Sequence, residues 1–123
     1  MLHALPSNLV FVVGGSRPIG PTFCARLEEL GLDVRKYISA DGALIGLSCA
    51  PQVAAIVSNT HVRGSLNGLS LATLERRKNS HAKIILVAHN PAPHMWLLAD
   101  SVLSDEVATE CVVSTLRGIL QLH

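Results

Sequence analysis

The residues that could carry chemistry in this chain fall in turns that follow apolar runs. Val53-Ala-Ala-Ile-Val57 is five small or apolar residues without a break, and the polar stretch Ser58-Asn59-Thr60-His61 follows it. A buried parallel strand ends in this way, and in an open α/β sheet ligands gather at the carboxyl ends of such strands. The side chain at the tip is Asn59, an amide. A carboxylate there could take a phosphoryl group or bind a hard cation, whereas an amide offers a neutral carbonyl and no nucleophile. Gly14-Gly15-Ser16-Arg17-Pro18-Ile19-Gly20 follows a second apolar run, Leu-Val-Phe-Val-Val at Leu9 to Val13. Glycines between a strand and a helix let backbone amides approach an anion. His61, His89 and His94 lie in turns at the same expected edge and invite a metal or catalytic role. No Asp/His/Ser set is spaced locally enough for nucleophilic catalysis, and exposed loop histidines are the expectation. Cys24, Cys49 and Cys111 are far apart, form no CxxC pair and sit among apolar neighbours, so buried reduced thiols are expected and a metal site is not. Trp96, beside Met95 and Leu97, is either core or an exposed anchor for a partner.

Composition bounds what such groups can serve. With 123 residues, 49% hydrophobic and 15% charged, residues 1–123 form one domain with a real core. Aromatics make up only 3%, so aliphatic side chains and alanine must fill that core. Ten basic against nine acidic residues leave a net charge of +1, which gives no footing for nucleic acid or an acidic membrane surface. No apolar run reaches the roughly 18–20 residues of a membrane span. Met1 to Asn8 lacks the basic and apolar segments of a signal peptide. A cytoplasmic location is expected.

The elements that must position these residues alternate. Strands are expected near Leu9–Val13, Asp33–Tyr37, Val53–Val57, Lys83–Val87 and Val102–Leu103, the second being polar and so an edge. Helices are expected from the loop at Pro21 to about Leu30, from Ala43 to about Cys49 after an Asp41-Gly42 turn, and from Leu69 to Lys78. Only a short helix fits His94–Ala99, and a last one runs from Asp105 to Leu120. Phe23, Leu27 and Leu30 share one face of the first helix and Gly31 terminates it; Pro51 terminates the second. Leu69, Ala72 and Leu71 turn inward on the third, whose tail Glu75-Arg76-Arg77-Lys78 is expected to be a solvated end that complements the helix dipole. Val107, Cys111, Val112, Leu116 and Ile119 line one side of the last. Repeated βα units predict a doubly wound parallel sheet with right-handed crossovers.

The sequence resembles the receiver domain of bacterial two-component response regulators over nearly its whole length. The resemblance is carried by Val12-Val13, Leu27-Glu-Glu-Leu-Gly31, Asp41-Gly42, Asn59 with the loop closing in Asn67-Gly68-Leu69, and Ile85-Leu86-Val87. It implies a flavodoxin-like sheet of order 2-1-3-4-5. It also implies a phosphorylation site of five positions: an acidic pair holding Mg²⁺, an Asp acceptor, a hydroxyl and a Lys. Those positions fall on Gly14 and Gly15, Asn59, Ala88 and Asp105, and every one departs from the family's residue. Glycines supply no ligand for Mg²⁺, Asn59 supplies no nucleophile, and Asp105 would repel a phosphoryl group that the missing Lys should attract. Loss of aspartyl phosphorylation and of Mg²⁺ binding is the expectation. Ala88–Ala99 is also shorter than the family's segment, and Val102 stands where receivers carry an aromatic reporter.

A non-phosphorylatable interaction module with no enzymatic activity follows from these departures. Its partner is expected to be a protein, reached as a homodimer through the face of the fourth helix, fifth strand and fifth helix, with Trp96, Leu97 and Val102 in it. Gly14–Gly20 also looks like the cofactor loop of short-chain dehydrogenases, which would make this a small Rossmann-like dinucleotide- or anion-binding protein. Pro18 replaces the middle glycine of that loop, no Tyr-x-x-x-Lys pair exists, and the chain is about half the length of such an enzyme.

Overall fold

The computed structural model describes residues 7–50, 52–62, 64–78 and 81–122. Its strands are β1 (Leu9–Val13), β2 (Asp33–Tyr37), β3 (Ala55–Asn59), β4 (Lys83–Ala88) and β5 (Ser101–Ser104). The helices are α1 (Pro21–Glu29), α2 (Ala40–Cys49), α3 (Gly68–Arg77) and α4 (Thr109–Leu120), with a 3₁₀ turn at Pro93–Leu97 where a fourth crossover helix would lie. All five strands are parallel, in the order β2-β1-β3-β4-β5. Alternate strand residues point to opposite faces. Val10, Val12, Val57, Ile85 and Val87 pack against Phe23 and Leu27 of α1 and against Val112, Val113, Leu116 and Leu120 of α4. On the other face Phe11, Val13 and Ile56 meet α2 and Leu71. Ile84, Leu86 and Val102 meet Ala72, Met95 and Ala99. The uninterrupted apolar run of β1 reflects a strand covered on both sides, every residue of it being buried.

Several boundaries differ from expectation for physical reasons. β3 begins at Ala55 and continues through the polar Ser58 and Asn59, because Val13 pairs with Ser58 and Val87 with Asn59. Neighbouring strands that reach that far bury both side chains. Asp41-Gly42 is no turn: Ser39 caps α2, its hydroxyl accepting from the Gly42 amide at 3.0 Å, so both residues lie in the first helical turn. α4 starts at Thr109 and not at Asp105. Gly31 ends α1 as expected, at φ +87°. Pro51, read as the stop of α2, and the N-terminal residues 1–6 lie outside the described residues.

Burial corrects other expectations. Cys24 is buried, and burial pushes its thiol up; Cys49 and Cys111 are exposed. Cys111 precedes the buried Val112 by a single helical step, which turns it out of the face it was assigned to. Met95 is core, whereas Trp96 and Leu97 are exposed by 55% and 84%. Val102 is buried beneath Met95 and Ala99, so it does not belong to an exposed face with Trp96. The α3 tail is solvated only at Arg77 and Lys78: Glu75 is buried beside Lys78, and Arg76 is bound at its guanidinium to Leu98, Ala82 and Asp100.

Candidate functional site

The carboxyl ends of β1, β3, β4 and β5 bring Gly14, Gly15, Asn59, Ala88 and Asp105 to one edge of the sheet. Asn59, the last residue of the central strand, is 6% exposed. Its Oδ1 accepts from the Ser16 amide at 3.0 Å, and its Nδ2 donates to the Ser16 carbonyl at 3.4 Å. Both ends of the side-chain amide are therefore spent on one backbone unit of the β1–α1 loop. Gly14 lies against it at φ +100°, where a Cβ would stand 2.5 Å from Asn59 Oδ1 and 3.0 Å from Val62 Cγ1. Gly15, at φ +74°, has open space around its Cα. On the neighbouring strands the Asp105 amide donates to the Ala88 carbonyl at 2.9 Å, and the Asp105 carboxylate faces His89 Nδ1 at 3.3 Å.

Further ties cross this edge. Asp41, in the first turn of α2, accepts from the Ser65 hydroxyl at 2.6 Å and the Leu66 amide at 3.1 Å, joining α2 to the β3–α3 loop. The Ser65 hydroxyl, then the Leu66 amide, hold its carboxyl below the usual range. A folded-state pKa below the unfolded one contributes stability above the unfolded value and loses it as pH falls through the folded one. Asp41→Asn should therefore be less stable than wild type near neutrality, with the difference closing below about pH 4. Urea unfolding of both proteins between pH 7 and pH 2.5 measures this, and parallel curves would show that Asp41 carries no such role. Thr109 Oγ1 donates to the Pro18 carbonyl at 2.9 Å, so the β1–α1 loop is also held by α4. None of these partners is close in sequence.

A cleft of about 330 Å³ lies beside Asn59, lined by Gly14, Ser16, Ile38, His61 and Val62. His61, His89 and His94 are exposed, and no group of three His, Cys, Asp or Glu converges as a metal site among the described residues. Three amides of the glycine-rich loop are already bonded, Gly14 to the Tyr37 carbonyl, Ser16 to Asn59 and Ile19 to the Ser16 carbonyl. No described helix is long and apolar enough to cross a membrane.

No protein-family model matches the sequence, and no curated protein matches it. Solved structures do. The CheY-like response regulator receiver domain protein from Methanospirillum hungatei JF-1 superimposes with a TM-score of 0.79 at 14% identity, covering 94% of each chain. The receiver domain of the Francisella response regulator 1452 gives 0.78 at 18% identity, over 92% of this chain and 96% of that one. The CheY-like receiver domain from Methylobacillus flagellatus gives 0.74 at 19%, over 92% and 98%. The chain has the receiver-domain fold. In that fold the edge just described is where the resemblance implies Mg²⁺ and a phosphorylated Asp. The residues present do not fit the ion: two glycines and a buried neutral amide, with both polar atoms already bonded, supply no carboxylate oxygen.

Proposed function

We propose that this chain is a receiver-like protein-interaction module of two-component-type signalling that aspartyl phosphate does not switch. The observation that carries this is Asn59, onto which the resemblance maps the acceptor position, and which is a buried amide bonded at both ends to Ser16. An amide cannot form an acyl phosphate, and Asp105 at the place of the phosphate-binding Lys adds repulsion. The module has no enzymatic activity of its own. Its partner is a protein, reached through the surface around the exposed Trp96 and Leu97. Trp is enriched where binding energy concentrates, and a second copy of the chain is one occupant of that surface.

The test uses Mg²⁺ with beryllofluoride, read by the fluorescence of Trp96, the only tryptophan, and acetyl phosphate with Mg²⁺, read by intact mass. No spectral change and no added phosphoryl mass are expected. A saturable response, or a phosphoryl adduct on this edge, would overturn the proposal. Light scattering after size exclusion tests self-association: a wild-type dimer that Trp96→Ala converts to monomer is expected.

A further inference from the structure

We infer that the β1–α1 loop is a strap pinned at two points near its middle, Ser16 by Asn59 of β3 and Pro18 by Thr109 of α4, and that Asn59 is the positioning residue that fixes where α4 begins. This goes beyond the proposed function, because it concerns how the edge is held and not what it binds. The first pin is the pair of hydrogen bonds between the Asn59 amide and the Ser16 backbone, 3.0 and 3.4 Å long. A turn joins the two pins: the Ile19 amide, one residue past Pro18, donates back to the Ser16 carbonyl at 3.1 Å, and the Ile19 side chain is fully buried in the α1–α4 core. The second pin is Thr109 Oγ1 on the Pro18 carbonyl, at 2.9 Å.

What makes the second pin matter is the start of α4. Its N-cap is Ala108, which has no side chain to bond the first free amides, so local capping does not define the end of the helix. Thr109, its first residue, is instead fixed to a loop whose own position depends on Asn59. A second tie to this turn is the two-pronged ion pair of Arg26 with Glu110, at 2.7 and 3.0 Å, which holds Glu110 to α1 but makes no contact with the β1–α1 loop. The state of residue 59 therefore reaches the last helix through hydrogen bonds and one buried isoleucine.

Amide hydrogen exchange on the full chain tests this with two variants. Asn59→Ala should speed exchange at Ser16 by roughly fivefold to tenfold, the size of one lost net hydrogen bond, and should also speed exchange at Cys111 and Val112 in the first turn of α4. Faster exchange at Ser16 alone would reduce the pin to a local contact and overturn the inference. Thr109→Val keeps Asn59 intact and serves even if Asn59→Ala fails to fold. It should speed Cys111 while leaving Ser16 within twofold of wild type, and an unchanged Cys111 would overturn the inference equally.

Discussion

Placing an acid at Gly14 should destabilise this protein by about 3 kcal/mol, and adding Mg²⁺ should not recover the loss. The backbone there has φ +100°, which costs an L side chain roughly 1–2 kcal/mol. A Cβ would also stand 2.5 Å from Asn59 Oδ1, so the amide must leave Ser16 and forfeit hydrogen bonds worth about 1 kcal/mol each. Gly15 is the control. It too has positive φ, at +74°, but a Cβ there meets nothing within 4 Å, so Gly15→Asp should cost only the backbone term of roughly 1–2 kcal/mol. Urea unfolding should lower the midpoint of Gly14→Asp by about 2 M and that of Gly15→Asp by about 1 M. Equal midpoints for the two variants would show that Asn59 is not packed against Gly14 as described. The departure at Gly14 is thus built into the packing of this edge as well as into its charge.

What the sequence made legible and what it hid divide along sequence separation. The run Leu-Val-Phe-Val-Val could be read as a central strand because a strand buried on both faces needs no polar alternation. The short turn at Pro93–Leu97 followed from two prolines and too few residues for a helix. Asn59 could be read as the chemical departure, since residue type alone says that an amide is no acceptor. Its bonds to Ser16 could not, because they join residues 43 apart and depend on how the glycine turn folds back over β3. Ser58 and Asn59 looked like loop because they are polar; pairing with β1 and β4 made them strand. Val102 was placed on an interaction face by its position in the resemblance alone, and strand alternation turned it inward against Met95. Arg76 was hidden in a run of charge whose ordinary fate is solvation, and only the fold shows that one member of the run is bound.

That residue carries the second large effect. Arg76→Ala should destabilise the domain by about 2–3 kcal/mol, lowering the thermal midpoint by roughly 10 °C. Its Nε donates to the Leu98 carbonyl at 2.9 Å, Nη1 to the Ala82 carbonyl at 3.3 Å and Nη2 to Asp100 Oδ2 at 2.7 Å. Asp100 in turn accepts from the Ile84 amide at 2.8 Å, so one guanidinium ties α3 to the start of β4 and to the segment leading into β5. The geometry explains the size. The connection from β4 to β5 carries only the 3₁₀ turn at Pro93–Leu97, whose buried anchor is the single side chain of Met95, so apolar packing there is thin and the charged hydrogen bonds hold a larger share. With both side chains about a third exposed, at 32% and 30%, the full value of three buried charged bonds is not reached. Arg76→Lys should recover less than half of the loss, because an ammonium cannot serve three acceptors placed around a planar fork. Arg77→Ala, one step along the helix and exposed, should stay within about 0.5 kcal/mol of wild type. If the two alanine variants unfold alike, the tie at Arg76 is a surface contact, and the short β4–β5 connection must be held by its apolar side chains alone.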